Sequence, residues 1–191
     1  ERRRPTERAF FERLDAVDVQ RRDPVDLAAL VRDVAEYYEP LAEARGQALK
    51  IEVPPAVQTA GDRDLLFQAL ANLLDNAIKY TPQGGEIAVT LATVEAGAAE
   101  LTVADSGPGI PPADRAHIFQ RFFRLEGSRS TPGSGLGLSL VEAVTRLHGI
   151  GIRVNDNDPG TRFILRFAIS AAPFLEGQGC RSEGQGGESH T

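Results

Sequence analysis

The sequence predicts an α+β protein, and three observations carry that expectation. Three stretches repeat their apolar residues at helical spacing, five short stretches alternate apolar and polar residues, and two of the five lie close enough together to form a hairpin. At 191 residues, 41% hydrophobic and 25% charged, the chain has the composition of one globular domain with appendages.

Residues 1–22 are rich in Arg and Glu, with a short apolar stripe of Phe10, Phe11, Leu14 and Val17. The stripe reads as a solvated capping helix or as the end of a longer one. Asp23-Pro24 interrupts it, since proline disfavours helix at the residue before it, and a domain boundary is placed there. Leu27, Leu30, Val31, Val34, Ala35, Tyr38 and Leu41 predict a helix from Val25 to Arg45, capped by Asp23 or Asp26 and stopped at Gly46. Leu49, Ile51 and Val53 predict a half-buried strand closed by Pro54-Pro55. A second helix runs from Asp62 to Tyr80 on an apolar face of Leu65, Leu66, Ala69, Leu70, Leu73, Leu74, Ala77 and Ile78. Ile87–Val94 and Glu100–Ala104 predict the hairpin. A third helix follows Gly137 and stops at Gly149. Strands at Ile150–Val154 and Phe163–Phe167 flank a turn over 155–160. Beyond Leu175 the residues are almost all Gly, Gln, Glu and Ser, so 176–191 is expected to be a disordered tail.

Several function classes are disfavoured. A net charge of −6 leaves no global footprint for nucleic acid. No apolar run reaches the length of a membrane span, and no signal-peptide core follows Glu1-Arg2-Arg3-Arg4-Pro5. The single Cys180 excludes an intrachain disulfide, and His117, His148 and His190 lack zinc-ligand spacing.

Four motifs carry chemistry. On the second helix, Asn72, Asn76 and Lys79 fall on one side, beside the apolar face. Two readings stand: polar residues satisfied at the core rim, or amides for a hard cation and an ammonium for phosphate. Asp105-x-Gly107-x-Gly109 ends a strand. It is an ordinary turn, or a carboxylate that accepts from an exocyclic amine such as adenine's, with glycines that let a flat ligand approach. A Phe- and Arg-rich segment containing Phe119, Arg121, Phe122, Phe123 and Arg124 reads as a surface loop or a lid. Gly133-Ser134-Gly135-Leu136-Gly137-Leu138 then opens a helix, whose N-terminus suits phosphate. This box lacks the third glycine of a dinucleotide fingerprint, and the chain has no Gly-Lys pair for a P-loop.

In this order, Asn-x-x-x-Asn-x-x-Lys-Tyr, Asp-x-Gly-x-Gly, the Phe/Arg segment and Gly-x-Gly-x-Gly closely resemble the catalytic and ATP-binding domain of bacterial sensor histidine kinases. That family belongs to the ATPase group that includes gyrase, MutL and the heat-shock chaperone ATPase. The resemblance covers about residues 24–169. It implies a two-layer α/β sandwich, a mixed sheet covered on one face by three helices, with a flexible lid over ATP. By resemblance, residues 1–23 are the end of a dimerisation helix and linker, 24–170 the ATP-binding domain and 171–191 a flexible tail.

The resemblance also implies roles. Asn76 would ligate Mg²⁺, with Asn72 the other polar position of that helix face. Lys79 would approach the phosphates, and Tyr80 would pack near adenine or ribose. Asp105 would bind the adenine amine in a pocket shaped by Gly107 and Gly109. Arg121 or Arg124, and more weakly Arg129, would steady the γ-phosphate. Gly133, Gly135 and Gly137 would close over the triphosphate. Ile110, Phe119, Ser134, Leu136, Leu138 and Thr161 complete the nucleotide-contacting set. Hydrolysing relatives carry a Glu at the position of Asn72. An amide cannot take a proton from water, which points to transfer to a protein nucleophile. None of the three histidines has the family's acceptor context, so the expected acceptor is a histidine on a separate dimerisation domain of the same kinase, with a cognate response regulator downstream. The expected location is cytoplasmic, the parent is expected to be a homodimer through the absent helical hairpin, and this chain a monomer. A non-catalytic ATP-sensing module of the same fold is the alternative.

Overall fold

The computed structural model describes residues 23–94, 97–125 and 134–169. The N-terminal stripe, Arg129, Gly133 and the tail lie outside them.

The first described element is β1 (Asp23–Asp26), which pairs antiparallel with β3 (Gln58–Gly61) as a two-stranded sheet. Helix α1 therefore starts at Leu27, two residues later than the periodicity predicts, because Val25 and Asp26 are committed to strand pairing. Of the two candidate caps, Asp26 serves: its Oδ1 accepts from the Ala28 and Ala29 N–H groups at 3.0 and 3.1 Å. Helix α1 runs to Ala44 and contains Pro40, whose missing N–H falls on the exposed face beside Glu36. It stops where expected, at Gly46, whose φ of 65° is the left-handed conformation that glycine adopts without strain.

The main sheet has five strands in the order β2 (Ala48–Glu52), β4 (Glu86–Val94), β5 (Ala98–Asp105), β7 (Thr161–Ala168), β6 (Gly151–Asp156). Only β2 and β4 are parallel, so the sheet is mixed. Alternation sends Ile87, Val89, Leu91, Leu101, Val103, Phe163, Leu165 and Phe167 to one buried face. The helices α1, α2 (Arg63–Tyr80) and α3 (Gly137–His148) cover that face and share one core with it. Thr90, Thr102, Arg162 and Arg166 occupy the opposite face and are half-buried or exposed. This is the two-layer sandwich the motifs imply. Its core is dense enough that truncating a fully buried residue such as Leu73 to Ala is expected to cost about 2–5 kcal/mol.

Helix α2 begins as predicted. Asp62 Oδ1 accepts from the Asp64 and Leu65 N–H groups at 2.9 and 3.0 Å. His148, at the end of α3, ties the two helices together: its Nε2 accepts from the Asp62 N–H at 2.9 Å, and its Nδ1 lies 2.8 Å from the Val144 carbonyl. That pairing makes it a neutral, Nδ1-protonated ring holding α3 against the start of α2. Helix α3 ends in a left-handed Gly149, as the sequence predicts. Among the described residues no helix is long and apolar enough to cross a membrane.

Candidate nucleotide site

The site is built around the last two turns of α2. The eight apolar residues of its stripe are buried, and Asn72, Asn76, Lys79 and Tyr80 sit beside them, half-buried. The core-facing stripe thus fixes the rotation of the helix and carries the polar residues to the rim of the core. The Asn72 Nδ2 donates to the Gln68 carbonyl at 2.7 Å, which leaves its Oδ1 turned to the start of α3. A Cβ at Gly137 would lie 3.0 Å from that oxygen. The Asn76 amide has no hydrogen-bond partner among the described residues. The Lys79 ammonium lies over the Tyr80 ring, 5.0 Å from its centroid, and forms no ion pair among the described residues.

Asp105 closes β5, in register with Ile87 of β4. It is 7% exposed, and both of its hydrogen bonds fall on Oδ1, from the Gly107 N–H at 2.9 Å and the Thr161 N–H at 3.3 Å. Oδ2 has no partner among the described residues. Burial pushes the carboxyl above its usual range, and the two N–H bonds pull against that shift. The surrounding backbone is close-packed. A Cβ at Gly107 would meet the Tyr80 carbonyl oxygen at 2.9 Å, so the end of α2 and the Asp105 turn are in direct contact. Gly160 has a φ of 112°, and a Cβ there would lie 1.8 Å from the Asp105 carbonyl oxygen. The same carbonyl accepts from Asn157 Nδ2 at 2.8 Å. Thr161, singled out from the sequence, is buried and supplies a backbone N–H to the carboxylate.

Beyond Gly109 the chain makes successive turns over 112–122. Ile110 and Phe119 pack against the core, and Arg115 fastens this stretch by donating to the Ile110 carbonyl at 3.1 Å and pairing with Asp156. Phe122 is 70% exposed, with a φ of 65°. Its N–H donates to the Gly135 carbonyl at 2.9 Å, and a Cβ at Gly135 would strike the Phe122 backbone at 2.9 Å. The Phe/Arg segment and the second glycine box are therefore joined. Arg121 is exposed and Arg124 half-buried on that joined segment; Ser134 is exposed, and Leu136 and Leu138 are half-buried. Helix α3 opens at Gly137 with Leu136 as its N-cap and no side-chain cap, so its first-turn N–H groups are not taken by a capping side chain.

The structure thus brings Asn72 to Gly137, Tyr80 to Gly107, Thr161 to Asp105 and Phe122 to Gly135. The sequence reading missed Asn157, Gly160 and Arg115. The Asp-Pro-Gly turn at 158–160 is the only signal for Asn157 and Gly160, and it reads as a plain turn until the sheet sets it against Asp105; the residue pattern does not mark Arg115.

The donor set can be tested against a metal nucleotide. No group of three or more His, Cys, Asp or Glu side chains is placed to hold a metal among the described residues. One half-buried amide oxygen, at Asn76, with an ammonium on the same helix, fits a cation whose remaining ligands are phosphate and water. A buried carboxylate with one oxygen engaged and one available fits an amine donor.

Comparison with known proteins identifies the family and the fold. Residues 61–171 match the family model of histidine kinase-, DNA gyrase B- and HSP90-like ATPases. The chain is 43% identical over 150 residues to a signal transduction histidine-protein kinase/phosphatase MprB of Mycolicibacterium vanbaalenii, covering 76% of this chain and 31% of that protein. An MprB of Mycolicibacterium smegmatis is 40% identical over 150 residues, with 76% and 30% covered, so the chain spans less than a third of these relatives. Among solved structures, a mycobacterial sensor histidine kinase MprB superimposes with a TM-score of 0.68 at 36% identity, over 78% of this chain and 97% of that one. Full-length ShkA in complex with AMPPNP gives 0.73 at 31% identity, over 85% of this chain and 34% of that one. With more than half of its length matched by the family model, the chain belongs to the histidine kinase-, DNA gyrase B- and HSP90-like ATPase family.

Proposed function

We propose that the chain binds Mg-ATP and passes the γ-phosphoryl group to a histidine on a separate dimerisation domain of the same kinase. Asp105 carries this reading: a buried carboxylate, one oxygen held by two backbone N–H groups and the other available, in contact through Gly107 with the end of α2. Adenine offers an amine to such an oxygen, where guanine offers a carbonyl. From there α2 leads to Tyr80, Lys79, Asn76 and Asn72, and Asn72 abuts the uncapped start of α3. A triphosphate extending from adenine along this line meets first an ammonium and then helix N–H groups. Mg²⁺ would be held at the Asn76 amide oxygen and would neutralise phosphate charge.

The acceptor histidine nitrogen would attack the γ-phosphorus as the bond to the bridging oxygen breaks and ADP leaves. This chain's share is positioning and charge neutralisation, with Lys79, Arg121 and Arg124 as the cations and Asn72 in the place of a general base. An amide there supplies no base to activate water, which favours transfer over hydrolysis. The kinase relatives in the comparison support the same reading, as does the nucleotide-bound ShkA complex. Residues 1–23 are assigned to a dimerisation helix and linker, 24–170 to the catalytic domain and 171–191 to a tail. A response regulator would receive the phosphoryl group, and the parent would be a homodimer in which this domain lies on the cytoplasmic side.

Titration calorimetry with a non-hydrolysable ATP analogue, with and without Mg²⁺, tests the binding. Absence of binding with Mg²⁺ present would sink the proposal. Radiolabel from γ-labelled ATP should then appear on a separately supplied acceptor domain. An unlabelled acceptor would leave a binding module, and rapid phosphate release by the chain alone would mark a hydrolase.

A further inference from the structure

The end of α2 is held by side chains that lie far away in sequence. Thr81 follows the helix in an extended conformation, φ −72° and ψ 130°, so no left-handed residue folds back to satisfy the last carbonyls. The Thr81 N–H takes only the Ala77 carbonyl. The next carbonyl, of Ile78, accepts from Gln47 Nε2 and from Arg45 Nη1, both at 2.9 Å. Gln47 Nε2 also reaches the Thr81 carbonyl at 2.6 Å. Because both acceptors are carbonyls, the orientation of the Gln47 amide is determined. Gln47 is 6% exposed and Thr81 4%.

The turn that supplies these donors is itself immobilised. The Gln47 N–H donates to the Ala42 carbonyl at 3.0 Å, the Ala48 N–H to Gly85 at 3.0 Å, and the Gly84 N–H to Gly46 at 2.8 Å. Arg45 adds a cation at a helix C-terminus, where the dipole is negative. Gln47 Oε1, by contrast, is buried without a hydrogen-bond partner among the described residues. An apolar side chain would remove that orphan acceptor, but it would leave the Thr81 carbonyl without its donor. The fold therefore keeps a costly acceptor in order to keep the donor.

The bracketed residues are Lys79 and Tyr80. We infer that Gln47, assisted by Arg45, is a positioning residue for nucleotide binding: by gripping the carbonyls of Ile78 and Thr81 on either side, it holds Lys79 at the phosphate end of the site. The inference rests on the proposed Mg-ATP reading. Helix ends fray when their last carbonyls are unsatisfied, and fraying of this turn would displace the Lys79 side chain. The Asp105 end has its own support in the sheet and in Gly160. Tyr80 also keeps its own contact with Gly107, so loss of the grip should be felt more at the phosphates than at adenine.

The test compares two ligands, the Mg²⁺ complex of a non-hydrolysable ATP analogue and adenosine, on the wild-type chain and on Gln47→Leu, Lys79→Ala and the double variant. Gln47→Leu should bind the ATP analogue about five- to tenfold more weakly, the scale of one buried hydrogen bond, and adenosine within about twofold of wild type. In the Lys79→Ala background it should have no further effect on the analogue. Equal weakening of both ligands, or the same loss with and without Lys79, would show a general structural role and overturn the inference. Unchanged affinity for both would overturn it as well. Arg45 is exposed, so Arg45→Ala is expected to fold; if Gln47→Leu does not, the same ligand split at a smaller size in Arg45→Ala supports the inference and its absence overturns it. Failure of the wild-type chain to bind the analogue overturns the functional reading, and is seen before any variant is made.

Discussion

The two ends of the candidate site are built by different means. At Asp105 the sheet does the work. The residue ends β5 in register with β4, Gly160 presses on its carbonyl, and two backbone N–H groups hold one carboxylate oxygen. At the other end a helix simply begins. Helices α1 and α2 each have an aspartate that takes two first-turn N–H groups, whereas α3 starts at a glycine behind Leu136 with no such side chain. The Asp105 end is a pre-formed acceptor with little freedom. The α3 end has no capping side chain and a glycine that lets Asn72 come close, an arrangement that would suit a phosphate. Under the proposed function, shape would select at one end and charge at the other.

The comparison can be broken most severely at Gly160. Replacing it with Ala places a Cβ in the Asp105 carbonyl on a backbone that L residues avoid, and should cost about 3 kcal/mol or more of stability by urea unfolding. Gly84→Ala also has a positive φ but meets nothing within 4 Å, and should cost only about 1–2 kcal/mol. Similar losses at both positions would refute the close-packed account of the Asp105 turn.

Asp105→Asn keeps an acceptor for the two N–H groups but offers an amide in place of a carboxylate. Affinity for the ATP analogue should fall about tenfold to a hundredfold, the worth of a hydrogen bond to a charged group at about 1.5–3 kcal/mol. Stability at neutral pH should hold or rise, because a buried charge has been removed. The pH dependence has opposite signs for ligand and fold. Burial raises the folded-state pKa of Asp105 above its usual 3.8, so the folded state binds the proton more tightly. Between the ordinary and the raised value, the Asp105 contribution to stability falls as pH rises. Binding of an amine needs the carboxylate, so nucleotide affinity should instead fall as pH drops through the raised value. Calorimetry across acid pH should show both trends as the difference between the wild type and Asp105→Asn, since the other carboxyls titrate in both.

Leu136→Asp adds a carboxylate at the start of α3 and should sharpen the contrast. It should weaken the ATP analogue severalfold, on the order of 1 kcal/mol, by competing for the helix terminus, and leave adenosine unaffected. Equal weakening of the two ligands would count against a charge-reading end. The smallest effect is expected at α1. Asp26→Ala should cost about 1 kcal/mol in thermal or urea unfolding and should not change nucleotide affinity, because that cap only closes its own helix.

Periodicity was sufficient where a residue's partners are local. The apolar stripe of α2, the hairpin of β4 and β5, the glycine stops at 46 and 149 and the start of α3 at the second glycine box all appear within two residues of where the residue pattern places them, β5 starting at Ala98 inside the expected loop. It failed at β1 and β3. Asp23–Asp26 carries two aspartates and a proline, and Gln58–Gly61 has no large apolar residue, so neither resembles a strand until each finds the other across more than thirty residues. The site divides in the same way. The carboxylate, amides, ammonium and glycines are chemical types, and their order along the chain already named a family.

What the sequence determined by itself was this inventory and the helix face on which Asn72, Asn76 and Lys79 lie, because a 3.6-residue period and an apolar stripe leave one choice of rotation. Only the tertiary structure decided that Gly107 abuts the Tyr80 carbonyl, that Gly160 and Asn157 hold Asp105 from 52 or more residues away, and that Gln47 closes the end of α2 from 31 residues away. Each of those contacts has a backbone carbonyl on one side: glycine backbone presses on the carbonyls of Tyr80 and Asp105, and the side-chain amides of Asn157 and Gln47 donate to those of Asp105 and Ile78. Every residue carries the same carbonyl, so nothing in the identity of the accepting residue marks which distant group will meet it.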